Sequence, residues 1–135
     1  MSDAVAYQAA QTYRSVSMAV SPLTGIVMLL DGAIASIEKL VAASEAKRFE
    51  ESHNHLMKAT QILRGLSQCL NFDKGGDLPD RLFRTYNALI IAALRSFGRP
   101  DAPARYGRII ASLVQLRDAW SFVRATAGQK GMRGR

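Results

Sequence analysis

The stretch Ser21–Leu40, SPLTGIVMLLDGAIASIEKL, decides the fold. Ser21 followed by Pro22 is a helix start. The serine hydroxyl caps free backbone N–H groups, and proline occupies the first turn, where its missing N–H costs nothing. Beyond it, Leu23, Ile26, Val27, Leu30, Ile34, Ile37 and Val41 recur every three or four residues, the spacing of a core-facing stripe. The spacing predicts a helix over 22–45. The far side of the same helix carries Gly25, Met28, Leu29, Gly32, Ala35 and Ser36. Each glycine inside a helix costs about 1 kcal/mol relative to alanine. Small residues let another backbone lie close along that line, and methionine makes adaptable contacts. This side therefore either receives an amphipathic partner helix or is packed by the bundle or the N-terminal arm. An arm that a partner displaces satisfies both.

Working outward, residues 3–18, DAVAYQAAQTYRSVSM, favour helix but are weakly amphipathic, with Tyr7 and Tyr13 the large groups. They read as an arm that docks, and residues 1–20 as a cap. C-terminal to the opening helix, Phe49, Leu56, Ala59, Leu63, Leu66 and Leu70 form a stripe over 48–71. Leu78, Leu82, Tyr86, Leu89, Ala93 and Phe97 form another over 78–98, and Tyr106, Ile109, Ile110, Leu113, Leu116, Trp120 and Val123 a third over 104–125. The breaks are DKGGD and GRPDAPARY, rich in glycine and proline. No segment alternates with period two, so no sheet is expected. Four long helices with short breaks predict an all-α fold. The expected architecture is an antiparallel up-down bundle over 21–125 with a short N-terminal helical cap. Residues 126–135 read as a disordered basic tail.

The chain of 135 residues is one domain long, and 48% apolar content supplies a core. The apolar run Ile26–Leu30 is cut by Asp31, far short of the roughly 20 residues that span a bilayer. No basic-then-apolar leader is visible at the start. The lone Cys69 makes no internal disulfide, fits a reducing compartment and reads as a buried structural thiol. The net charge of +7 is inflated by RATAGQKGMRGR, which holds Arg124, Lys130, Arg133 and Arg135 and no acid. Without those 4 charges, 14 basic residues face 11 acidic ones, a net +3. A short basic tail of this kind reads as a solvated end rather than a nucleic-acid reader.

Chemistry is sparse. Glu50 and His53 form one Glu-x-x-His, whereas a di-iron carboxylate bundle needs two such motifs and two further Glu residues. His53 and the other histidine, His55, point about 200° apart on a helix, so they read as surface groups. Gly75-Gly76 lacks the Lys-Ser/Thr ending of a phosphate loop and follows a helix. No catalytic, metal or cofactor site is expected, and no enzyme. Arg117 falls inside an apolar stripe, where a charge must be paired or extend its head to water. Both readings stay open from sequence.

Several strings then acquire meaning together: AYQ near the start, SP, MLLDGAI, LMKATQIL, LNFDKGGDLPDRLFRTYNAL and LRDAW. Their order and spacing over about residues 5–123 resemble the FliS-type flagellar export chaperones. The resemblance implies an elongated antiparallel helical bundle in the bacterial cytoplasm that binds the C-terminal segment of flagellin. It implies that the protein prevents premature polymerisation and helps deliver the subunit to the flagellar export apparatus, without catalysis, cofactor or membrane insertion. It makes Tyr7 the cap tyrosine near the client site, with Gly25, Met28, Leu29 and Gly32 as the expected partner contacts. Leu30 stands where the family often has an aromatic residue before Asp31-Gly32-Ala33, which puts the packing of the client in question. Pro79 replaces a usual non-proline residue within a first helical turn, where it is tolerated. The basic tail is no family hallmark. The alternative is a small basic helical nucleic-acid binder using the tail with Arg81, Arg84, Arg105 and Arg108. Further export components as partners and a weak homodimer through the groove are left open.

Overall fold

A computed structural model describes residues 22–133, with side chains described as far as Ala127. Its regular elements are four helices: α1 (Pro22–Glu45), α2 (Phe49–Gln68), α3 (Leu78–Ser96) and α4 (Ala102–Arg133). α1 packs against α2 and α4, and α3 packs against the same two from the opposite corner, as the short connections demand of an up-down bundle. The expected cap over 1–20, with Tyr7 and Tyr13, and the Ser21 cap of α1 lie outside the described residues.

The core is built from the predicted stripes. Leu30, Ala33 and Ile37 of α1 meet Ala59 and Leu63 of α2, Tyr86 and Ala93 of α3, and Tyr106 and Leu113 of α4, all almost fully buried. Two buried hydroxyls stitch neighbouring helices. Ser52 Oγ donates to the Leu40 carbonyl at 2.9 Å, and the Tyr106 hydroxyl donates to the Ala93 carbonyl at 2.7 Å. Each satisfies a polar group that would otherwise cost free energy in the core.

Helix ends differ from expectation for local reasons. α2 stops at Gln68, where the Cys69 N–H turns back to the Leu66 carbonyl at 3.3 Å. α3 stops at Ser96 because Phe97 is extended, with Gly98 at φ 79° beyond it. α4 begins at Ala102 and runs to Arg133, so the tail expected to be disordered from residue 126 instead continues the helix to that point. Three stripe residues, Phe49, Leu78 and Val123, are exposed, Val123 on the part of α4 beyond Trp120, and Cys69 departs from its expected burial. Phe49 is exposed at the first position of α2, beyond the reach of the core. Leu78 is half exposed at the first position of α3. Cys69, expected to be buried, is exposed because it caps α2 beyond its last full turn.

Candidate functional site

At the bundle end where α1 begins, the four helices do not close on one another. They leave an open apolar pocket of about 210 Å³. α1 contributes Ile26, α2 contributes Leu66 with Cys69 and Leu70 just beyond it, α3 contributes Leu78, Pro79, Leu82 and Tyr86, and α4 contributes Trp120. Helical periodicity explains the supply of groups. The apolar stripes of α2 and α3 run to the helix ends at their connection, where no further layer among the described residues covers them.

The connection between α2 and α3 forms the rim. Asn71 Oδ1 accepts the Asp73 N–H at 3.0 Å and so starts the turn. Gly75 and Gly76 have φ of 92° and 61°, a backbone that other residues adopt only with strain. The Leu78 N–H then bonds the Gly75 carbonyl at 3.1 Å, which launches α3 with Pro79 in its first turn. Lys74 and Asn71 put polar groups beside the apolar walls. Above the rim, Phe72 and Phe83 meet edge to face, with centroids 5.9 Å apart.

The sequence-predicted contacts are split by the bundle. Of the two readings of the far side of α1, packing by the bundle holds for Gly25, Leu29 and Ser36: all three are buried, and Leu29 joins the core cluster. At Gly32 the neighbour is α2: an added Cβ would lie 3.5 Å from Ile62 Cδ1, so α2 occupies that part of the line. Met28 is 50% exposed on the outer face of α1, with Ala35 half-buried one turn pair further on. Tyr7 lies outside the described residues. Sequence reasoning placed Ile26, Leu70, Leu78, Leu82, Tyr86 and Trp120 in core stripes and did not see that they meet at an opening. For Ile26, Leu70, Leu78 and Leu82 the proximity to a helix end was the available signal; Tyr86, in the middle of α3, and Trp120, with α4 running on to Arg133, carried none.

Arg117 resolves as an ion pair. Its guanidinium donates to Asp31 on α1 and to Asp118 on its own helix, each at 3.1 Å. These carboxylates push its pKa further up, so the charge is permanent. Asp31 belongs to MLLDGAI and Arg117 to LRDAW, so two strings distant in sequence are neighbours in space. His53 is exposed, edge-on to Phe97 at 5.7 Å, and His55 faces Glu51 at 3.8 Å, so the two imidazoles serve different neighbours. Among the described residues no three metal-ligating side chains come together, and no helix is long and apolar enough to cross a membrane.

Fold and site together define an all-α antiparallel bundle with an open apolar end and a polar rim. Residues 3–127 match the family described as Flagellar protein FliS. A protein of Vibrio cholerae serotype O1 described as flagellar secretion chaperone FliS is 27% identical over 115 residues, which cover 82% of this chain and 84% of that one. The chain belongs to the FliS family of flagellar export chaperones.

Proposed function

We propose that this chaperone acts in the bacterial cytoplasm, where it holds the C-terminal segment of flagellin, keeps it from polymerising early and hands it to the export apparatus. The observation that carries this reading is the pocket of about 210 Å³, walled by all four helices in a chain of this family. Its size and apolar walls suit one or two large side chains of an amphipathic helix. Met28 on the outer face of α1 offers a second contact, and Gly25, Leu29 and Gly32 act beneath it by fixing how closely α1 and α2 approach. Tyr7 completes the client site in this proposal. Burying apolar side chains of the client gains about 25 cal/mol per Å². Ordering a flexible segment costs several kcal/mol of that gain, which keeps release within reach.

Calorimetry against the C-terminal segment of flagellin from the same genome tests the reading. The expected result is a saturable one-to-one complex with a large negative heat-capacity change and little dependence on salt. Absence of binding to that segment by the folded protein overturns it.

A further inference from the structure

The charge of this protein is segregated. Residues 1–77 carry 7 basic and 8 acidic side chains, whereas residues 78–135 carry 11 basic and 3 acidic ones. The α1–α2 half is thus close to neutral, and the α3–α4 half holds the whole surplus. Part of that surplus is already matched: Arg105 pairs with Asp101 at 2.9 Å, and Arg117 with Asp31 and Asp118.

Arg81, Arg84 and Arg95 on α3 are different. All three are exposed, and none is ion-paired among the described residues. Together with Ala88 and Ile91 they recur at alternating steps of three and four residues, so they share one helix face. Asp80, in the first turn, is the single acidic side chain on this helix. The opposite face, with Leu82, Tyr86, Leu89 and Ala93, is buried. Alongside the arginines, Phe83, Ile91 and Leu94 are 44%, 49% and 41% exposed. A face that only had to be solvated would not carry three large apolar side chains among its cations.

We propose that the outer face of α3 docks peripherally on an anionic phospholipid surface. Arginines reach headgroup phosphates, and Phe83, Ile91 and Leu94 sit at the boundary with the acyl chains, the arrangement of an interfacial amphipathic helix. From Arg81 to Arg95 the stripe is about 21 Å long, at 1.5 Å per residue, and a planar surface meets it along its whole length. Nucleic acid would engage the arginines equally but gives no return for exposed Ile and Leu. The proposal is independent of flagellin binding.

Flotation of the full-length protein with phosphatidylglycerol–phosphatidylcholine vesicles, against pure phosphatidylcholine vesicles, tests it. The protein is expected to float with the anionic vesicles alone and to be released by salt. Each arginine removed should weaken partition roughly fivefold, so the triple variant Arg81→Gln, Arg84→Gln, Arg95→Gln should lose nearly all of it. The variant Lys39→Gln, Lys58→Gln, Arg64→Gln removes the same charge from exposed sites on α1 and α2 and should float as the parent does. So should Lys130→Gln, Arg133→Gln, Arg135→Gln. Circular-dichroism melts establish that each variant is folded. The proposal is overturned by any of four results: no flotation with anionic vesicles, equal loss in all three triple variants, unchanged partition in Ile91→Ser, Leu94→Ser, or binding of duplex DNA in place of vesicles.

Discussion

Lys47 holds a left-handed backbone, φ 62°, at the end of α1. The position closes the helix: the Lys47 N–H bonds the Ser44 carbonyl at 3.0 Å and the Arg48 N–H the Ala43 carbonyl at 2.8 Å. Glycine is the usual residue at such a stop, and an L side chain there costs on the order of 1 kcal/mol. Lys47 is exposed, so nothing in its burial offsets that cost. Lys47→Gly should therefore raise stability by about 1 kcal/mol, read as a higher urea midpoint at unchanged slope. Tyr106 sets a second expectation. It is 1% exposed, and burial pushes its pKa up to about 12. The unfolded value is about 10. Folding thus favours the neutral phenol, a contribution complete below pH 10 and lost as the pH rises through about 12. Tyr106→Phe should cost about 1 kcal/mol at neutral pH through the lost hydrogen bond to Ala93. It should also flatten the loss of stability between pH 10 and 12, which urea midpoints at pH 7 and 11 compare directly.

At the scale of elements, α1 was the most legible. Its bounds follow from Pro22 and an apolar stripe that runs unbroken to Val41. Gly25 and Gly32 were legible as a close-approach line. Periodicity could not say whether that approach belonged to α2 or to a foreign helix, because both place the same demand on the sequence. Arg117 illustrates the same limit. Its position in an apolar stripe announced a constrained charge, but its partner Asp31 lies on another helix, and pairing across helices leaves no periodic trace. The pair is partly exposed, with 32% and 51% of the two side chains accessible. It should behave as a screened contact that orients α1 against α4 rather than as a main source of stability. A double-mutant cycle with Asp31→Asn and Arg117→Gln should give a favourable coupling that fades in about 0.5 M salt, where charges are screened over a few ångströms. A coupling indifferent to salt would show that the two residues act through packing instead.

At the scale of the whole molecule, the candidate site exists because the stripes of α2 and α3 end together at their connection, beside α1 and α4. Helical spacing tells which face of a helix is apolar, but not how far along its axis the neighbours cover that face. Leu78 and Trp120 therefore read as wholly internal, whereas Leu78 is half exposed and Trp120 half-buried; Leu82 is buried as expected and still borders the opening. The loop between α2 and α3 decides the matter by holding its glycines and Leu78 at the rim instead of folding over the opening. This geometry separates two placements of the client. Trp120 is half-buried in the pocket wall, whereas Met28 stands on the outer face of α1. If the client's main anchor enters the pocket, Trp120→Ala should weaken binding of the flagellin C-terminal segment roughly tenfold or more, as truncating a central aromatic group does. The heat-capacity change should become less negative, because less apolar surface leaves water. Met28→Ser should then have the smaller effect, and the thermal midpoint of each variant shows how much of its loss is folding. The reverse order, with Met28→Ser costing more than Trp120→Ala, would place the client along α1 and leave the bundle end to another use.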